Sequence, residues 1–138
     1  HREEHSIEVQ LPFLQTVLGN FTLVPLVVGR CTTTQVTALL ERLWDDRETL
    51  VVISSDLSHY HAYALAERLD METARRIEAL QGPLDGSQAC GAYPLNGMLD
   101  MARQHAMHIE RLDLRNSGDT AGSRDRVVGY GAWAIHDA

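Results

Sequence analysis

The chain has 138 residues, of which 44% are hydrophobic, and it carries a formal net charge of -7. This is the size and composition of one ordinary soluble domain with a core of its own, so the chain should fold rather than stay disordered. Binding to nucleic acid or to anionic membranes needs clustered Lys and Arg, so we expect neither as a partner and predict a small-molecule or peptide ligand instead.

The first half of the chain predicts a helix followed by a strand–helix–strand unit. Apolar residues recur at helical spacing over 6–18, where Pro12 should kink the helix or loosen its first turn. The apolar runs 21–29 and 49–55 are typical of strands covered on both faces. Between them, Thr32 to Thr34 can cap a helix that extends to Trp44. These lengths predict adjacent parallel strands with a right-handed crossover.

The second half predicts two helical regions and then two strands. Residues 62–80 favour one long or two short helices, with Asp70 able to cap the second, and another helix is expected to begin near Pro94. Strands are predicted over 107–116 and 126–136, joined by a polar segment long enough to be a working loop. The predicted fold class is α/β, with a mixed, mainly parallel sheet flanked by helices in one domain, 1–138.

Several features of the sequence indicate where the protein works and which kinds of scaffold it lacks. Every apolar run is shorter than the roughly 20 residues that span a bilayer, and HREEHSIE does not resemble a signal peptide, so we expect a cytoplasmic protein. Cys31 and Cys90 form no CxxC, which argues against a disulfide scaffold or a structural zinc site. The first residue is His1, and we expect the chain to be the back part of a longer protein. Nothing in the sequence indicates an oligomeric state.

Polar residues follow the predicted strand 49–55, where ligands gather in open α/β sheets. Asp56 and His59 are three apart, and a carboxylate beside an imidazole orients the ring and raises its basicity. This pattern is typical of a general base or a metal-bound histidine. The plainer alternative is that Asp56 or Ser58 caps the next helix, with His59 on the surface and His61 at the start of the helix.

Cys90 lies between a predicted loop and a helix start, with Gly91 behind it so that the backbone can approach closely. The N-terminus of a helix favours the thiolate, which is both a nucleophile and a soft metal ligand. The alternative is a small buried hydrophobe, which we expect for Cys31. His5 and Glu8, at i and i+3, could face one cleft or lie on a solvated helix face.

The polar segment between the last two strands leaves two interpretations open. Asn116, Asp119, Arg124 and Arg126 could bind an anion or lock the hairpin. The sequence contains no GxGxxG, GxxxxGK[ST] or GxSxG, so dinucleotide-binding, P-loop and α/β-hydrolase interpretations have no support.

Four segments, EEHSIEVQLPFL, SSDLSHY, ACGAYP and LDLRNSGDTAGSRDRVVGYGA, resemble the Memo family, in particular the bacterial branch called AmmeMemoRadiSam system protein B. The resemblance extends from His5 to about His136. It implies a fold similar to the LigB-like class III extradiol dioxygenases. In that superfamily two histidines of the N-terminal half and one ligand of the C-terminal half hold a mononuclear metal.

Carried over motif by motif, the resemblance implies that Cys90 is the metal ligand and His59 the active-site base, with Asp56 as its neighbour. It also implies that His5 is a second pocket histidine, and we expect Ser55 and Glu8 at the substrate. The upstream motifs that carry the two histidines in the family are absent here. The chain therefore resembles the C-terminal half of a Memo protein, and we expect its metal site to be incomplete.

Three functions follow as hypotheses. The first is a Memo-like non-haem metal protein with iron- or copper-dependent, dioxygenase-like redox chemistry. The second is a non-catalytic module that binds a peptide or protein in the same pocket. The third, a cysteine-dependent hydrolase using Cys90 with His59, is weaker because no oxyanion feature is visible.

Overall fold

The computed structural model describes residues 5–44 and 48–137. In this part of the chain the helices are α1 (Leu11–Val17), α2 (Thr33–Leu43), α3 (Tyr63–Glu78) and α4 (Ala92–Gln104). The strands are β1 (His59–His61), β2 (His108–Asn116) and β3 (Val127–His136), and a 3-10 turn, Ser117–Asp119, follows β2. None of the helices in these ranges is both long and apolar enough to cross a membrane.

The three strands form an antiparallel sheet with β3 in the centre. Strand β2 pairs with β3 from His108 opposite His136 to Asn116 opposite Gly129, with an irregularity between Arg111 and Asp113. Strand β1 pairs with the start of β3. The α/β class is therefore confirmed, and the predicted strands 107–116 and 126–136 form a hairpin.

The parallel part of the predicted sheet is not confirmed. Within the described residues, 21–29 and 49–55 belong to no hydrogen-bonded strand, and the observed pairings are antiparallel. Val28, Val51 and Ile53 are partly buried and pack against the core beside α2, whereas the rest of 21–29 is exposed, so the predicted cover on both faces is not found there. A strand also needs a neighbouring strand to bond with, and within the described residues no backbone–backbone hydrogen bond joins 21–29 or 50–55 to one.

The helices begin where local signals place them. Helix α1 begins at Leu11, later than predicted, with Pro12 in its first turn. Helix α2 begins with a capping box, in which the Thr32 hydroxyl accepts the Gln35 N–H and the Gln35 side chain accepts the Thr32 N–H. Helix α4 begins close to the predicted start at Pro94.

In the region of α3 the structure decides between two alternatives and corrects one expectation. Residues Tyr63–Glu78 form one helix, so Asp70 lies inside it and does not cap a second segment. His61 belongs to strand β1 rather than to the helix. Both residues are held by contacts with distant parts of the chain, which local spacing cannot indicate.

Helix α4 lies at the centre of the packing. It contributes Met98, Met101 and Ala102 to a cluster shared with α2, and Ala92 and Leu99 to a second cluster shared with α3. Trp133 of β3 packs against the second cluster. These contacts place the start of α4, and with it Cys90, against the chain that precedes β1.

Candidate metal centre

The loop after residue 53 is held against the central strand. Leu57, which is 2% exposed, donates its N–H to the Gly129 carbonyl at 2.9 Å, and Gly129 returns its N–H to the Ser58 carbonyl at 2.8 Å. Both bonds are made by one residue of β3, Gly129. The backbone between Asp56 and His59 is therefore fixed to the central strand.

A buried carboxylate also supports this loop. Asp70 of α3 is 3% exposed, and its Oδ1 accepts the Ser58 N–H at 2.9 Å. A Cβ at Gly129 would lie 2.0 Å from Asp70 Oδ2, so only glycine leaves room for the carboxylate at this position. This role of Asp70 could not be predicted from the sequence, because local spacing does not indicate that Ser58 will lie against α3.

Cys90 is brought to the loop by hydrogen bonds from both sides. The Asp56 N–H donates to the Cys90 sulfur at 3.1 Å, and the Cys90 N–H donates to the Asp56 carbonyl at 3.1 Å. The Ser55 hydroxyl accepts the Gly91 N–H at 2.9 Å and donates to the Asp56 carbonyl at 2.7 Å. Both the backbone and the sulfur of Cys90 are therefore held by the loop.

Gly91 permits the close approach that the sequence led us to expect. A Cβ at this position would lie 2.9 Å from the Ser54 carbonyl oxygen and 2.9 Å from the Ser55 Cβ. Real Cβ atoms do not approach other atoms so closely. The absence of a side chain at Gly91 is therefore what allows the start of α4 to touch the loop.

Asp56, His59 and Cys90 converge into a group that we call the metal group. One carboxylate oxygen, one ring nitrogen and the sulfur all lie within 4.8 Å of one another. The distance between His59 Nε2 and Asp56 Oδ2 is 3.6 Å, longer than a hydrogen bond. The side chains are 31% exposed for His59 and 47% exposed for Asp56, so the group opens to solvent.

The other predicted site residues lie outside the metal group. His5 and Glu8 pair with each other through His5 Nδ1 and Glu8 Oε1, and both are exposed. The hydrogen bond from His5 holds the pKa of the Glu8 carboxyl below its usual value. Ser55 adjoins the group, with its hydroxyl 3.7 Å from the Cys90 sulfur. Cys31 packs beside the core cluster of α2 and α4, as expected.

The polar segment after β2 is held by internal contacts. The Asn116 side chain accepts the Gly118 N–H, and the Asp119 carboxylate accepts the Asn116 N–H and the Tyr63 hydroxyl, the latter at 2.6 Å. The Arg124 guanidinium lies 4.3 Å from the Tyr63 ring centre. These contacts favour the interpretation that the segment locks the hairpin.

The Tyr63–Asp119 hydrogen bond changes the titration of both partners. It raises the pKa of Tyr63 to about 12, because ionising the phenol would place a negative charge beside the carboxylate and lose the bond. The same hydrogen bond, together with the Asn116 N–H, holds the pKa of Asp119 below its usual value. The pair is therefore most stable with a neutral phenol and an ionised carboxylate.

Comparison with known proteins gives a consistent family match. The family model described as Memo-like protein matches residues 1–134. A MEMO1 family protein of Thermoplasma volcanium is 36% identical over 143 residues, which cover 94% of this chain and 52% of that protein. MEMO1 family proteins of Saccharolobus islandicus and Saccharolobus solfataricus are 33% identical over 144 residues, covering 94% of this chain and 51% of theirs. The chain thus spans about half the length of the curated relatives it matches.

Proposed function

This chain belongs to the Memo-like protein family, and we propose that it supplies the metal group to a mononuclear iron or copper centre with dioxygenase-like redox chemistry. One observation carries the proposal. Asp56, His59 and Cys90 come from two segments far apart in sequence, yet their ligand atoms lie within 4.8 Å of one another. The anchoring contacts from Asp70, Gly91 and Gly129 support this convergence.

The donor set fits a transition metal. Ligands that bind one ion at about 2.0 to 2.3 Å lie roughly 3 to 4 Å apart, so the metal group needs only a small inward movement of its side chains. A carboxylate and a thiolate would together balance the charge of a divalent ion. Imidazole suits both iron and copper, and the thiolate shifts the preference toward copper.

Each residue of the metal group would have a role of its own. Cys90 would be the principal ligand, since two hydrogen bonds to Asp56 hold its backbone and sulfur in place. His59 would serve either as a ligand through its ring nitrogen or as the proton-transfer base predicted for it, and the His59→Gln titration separates the two roles. Asp56 would bind the ion through a carboxylate oxygen. A bound redox metal would supply electron transfer and polarise the substrate.

The other residues predicted at the site have a less specific place in the proposal. His5 and Glu8 stay predictions as pocket and substrate residues, and Ser55 also holds Gly91 through its hydroxyl. The ligand is proposed to be a small molecule or a peptide. The cytoplasmic location stays a prediction.

A Co²⁺ titration of the purified chain tests the proposal, because cobalt bound to a thiolate gives a charge-transfer absorption band. We expect one ion per chain and loss of the band in Cys90→Ser. Asp56→Asn and His59→Gln should each weaken binding by roughly tenfold or more. Cys31→Ser is the matched control and should keep the band. An unchanged band in Cys90→Ser would overturn the proposal.

A second candidate function is a module that binds a peptide or protein without turnover. Tyr60, which is 64% exposed, adjoins His59, and the Arg126 guanidinium lies 5.1 Å from its ring centre. Exposed Tyr and Arg side chains are typical of binding hot spots. Selection from a peptide library with and without EDTA tests this candidate. Binding that survives chelation and is lost in Tyr60→Ala, with Tyr130→Ala as the control, would support it, whereas complete loss with EDTA would contradict it.

A further inference from the structure

Strand β1 carries one residue more than the part of β3 that it faces. His59 lies opposite Val128 and His61 lies opposite Val127, so Tyr60 is the extra residue of a β-bulge. Tyr60 adopts a φ of 61°, in the left-handed region that bulky residues rarely occupy. Bulges are common next to functional sites, where they change the direction of a side chain.

The bulge leaves the Tyr60 ring beside the metal group. In a regular strand, consecutive side chains point to opposite faces of the sheet. Here the ring centres of His59 and Tyr60 are 5.8 Å apart and the ring planes are inclined by 59°, as in paired aromatic side chains. Tyr60 is 64% exposed, so it offers an open aromatic surface next to a residue of the metal group.

The Arg126 guanidinium lies over the same ring. Its Cζ atom is 5.1 Å from the Tyr60 ring centre, which is within the range of a cation–π contact. Among the described residues, no hydrogen bond or ion pair involves this guanidinium. The carboxylate of the neighbouring Asp125 instead accepts the Ser123 hydroxyl at 3.0 Å. Arg126 therefore keeps its side-chain N–H donors available for a ligand.

Arg124 provides a contrast within the same segment. Its guanidinium lies 4.3 Å from the Tyr63 ring centre. The Tyr63 hydrogen bond and, to a smaller extent, the Arg124 charge hold the pKa of Asp119 below its usual value. Both arginines thus lie over a tyrosine, but Arg124 has a carboxylate of the hairpin nearby, whereas Arg126 has none paired with it in this part of the chain.

We propose that Arg126 and Tyr60 form an anion site beside the metal group, and that this site binds the carboxylate of a small-molecule substrate. The inference rests on the proposed function only in calling the anion a substrate. A guanidinium presents its N–H groups in a planar fork that matches the two oxygens of a carboxylate. The rest of the molecule would extend along the Tyr60 ring toward His59.

The charges favour a carboxylate over a phosphate group. Arg126 contributes one positive charge, which balances one carboxylate. A phosphate monoester carries about −1.5 to −2 charges at pH 7, so part of its charge would stay unbalanced. The metal group already contains the Asp56 carboxylate, and the whole chain has a net charge of -7. An excess negative charge at this position would therefore be repelled.

A benzoate titration of the purified chain in EDTA tests the anion site, with NMR shifts of the Tyr60 amide and the Arg126 side chain as the readout. Benzoate joins one carboxylate to a ring that can pack against Tyr60. We expect saturable shifts at both residues. Benzamide, which is neutral and of the same shape, should bind at least roughly tenfold more weakly, and phenyl phosphate should also bind more weakly. Shifts that do not saturate, equal binding of benzamide or tighter binding of phenyl phosphate would overturn the proposal.

Matched variants locate the bound carboxylate. Arg126→Gln removes the charge and should weaken benzoate binding by roughly tenfold or more. Arg126→Lys keeps the charge but loses the planar fork, so the loss should be smaller. Arg124→Gln removes the same charge from the same segment and should leave binding close to that of the unmodified chain. Both arginines are exposed, and circular dichroism checks that the variants fold. Unchanged binding in Arg126→Gln, or an equal loss in Arg124→Gln, would contradict the assignment.

Cobalt connects the anion site to the metal group. In the Co²⁺-loaded chain, benzoate should change the absorption spectrum of the bound ion, and Arg126→Gln should raise the benzoate concentration that this change requires. A spectrum that benzoate leaves unchanged would overturn the assignment as a substrate site. If the chain binds benzoate in EDTA but binds no cobalt, the proposed function fails and the anion site stands, so the two failures can be told apart.

Discussion

Asp56 and Cys90 are joined by two hydrogen bonds that run in opposite directions. The Asp56 N–H donates to the Cys90 sulfur and the Cys90 N–H donates to the Asp56 carbonyl, each at 3.1 Å. The sulfur is therefore positioned by the backbone, and no metal is needed to hold it. A ligand organised in this way loses less conformational entropy when an ion binds.

Gly91→Ala should disrupt this arrangement. The new Cβ would lie 2.9 Å from both the Ser54 carbonyl oxygen and the Ser55 Cβ, so the start of α4 must shift away from the loop. We expect the free energy of unfolding to fall by about 1–3 kcal/mol and Co²⁺ binding to weaken. Urea denaturation and the cobalt titration measure the two effects.

The matched control is Gly86→Ala, because an added Cβ there meets open space. It should leave both stability and cobalt binding close to those of the unmodified chain. Equal behaviour of the two variants would show that the contact at Gly91 does not position the sulfur.

Local signals explain the part of the fold that was predictable. The capping pair Thr32 and Gln35 and the helical spacing that follows them specify α2 without help from the rest of the chain. The hairpin of β2 and β3 has the same basis, since two apolar runs flank a polar turn. For His59 and Cys90, position alone left surface and core alternatives open, and the resemblance to the Memo family is what implies a shared site.

Long-range contacts explain what the sequence did not indicate. Strand β1 exists because β3 pairs with it, and Tyr60 within it adopts a φ of 61° that its sequence does not predict. Asp70 is a residue type that often caps helices, but here its carboxylate is buried and accepts the Ser58 N–H. The predicted strands 21–29 and 49–55 have the apolar pattern, yet in the described chain no neighbouring backbone pairs with 21–29 or 50–55.

The contact between Gly129 and Asp70 predicts a coupled pair of substitutions. Gly129→Ala places a Cβ 2.0 Å from Asp70 Oδ2 and 2.5 Å from Asp70 Cγ, and should destabilise the fold by about 1–3 kcal/mol or more. Asp70→Ala removes those atoms but leaves the buried Ser58 N–H unpaired, at a cost of about 1–3 kcal/mol.

The double variant should be more stable than the sum of the two losses predicts, by roughly 0.5–3 kcal/mol, because the clash no longer exists. Urea denaturation of the four proteins in the cycle provides the comparison. Strict additivity would mean that the backbone around Gly129, rather than Asp70, absorbs the added methyl group.

Gly97 allows α2 and α4 to pack closely against each other. A Cβ at Gly97 would lie 2.2 Å from Val36 Cγ1, and the Gly97 carbonyl accepts the Thr37 hydroxyl at 3.2 Å. Gly97→Ala should therefore cost about 1–3 kcal/mol of stability. Val36→Gly removes both Cγ1 and Cβ of Val36, the latter 2.4 Å from the added methyl group, so the double variant should be more stable than the sum of the two single losses predicts. Thermal unfolding of both proteins measures it, and a double variant that is less stable than the two losses added together would contradict this account.

The Tyr63–Asp119 hydrogen bond predicts a specific alkaline transition. Because this bond raises the pKa of Tyr63 to about 12 from its ordinary 10.0, the stability that it contributes is complete below pH 10 and is lost as the pH rises toward 12. The lowered pKa of Asp119 sets the acidic limit, since the stability that this carboxylate contributes is present above its ordinary pKa of 3.8 and is lost at more acidic pH.

The tyrosinate absorbance followed through an alkaline titration should show one phenol ionising last. Tyr63→Phe should remove that step, and Asp119→Asn should move it toward pH 10, because an amide accepts the hydrogen bond without repelling the phenolate. Tyr130→Phe is the control and should leave the last step in place. If Tyr63→Phe leaves it too, the phenol that ionises last is not Tyr63 and the hydrogen bond does not hold the hairpin in solution.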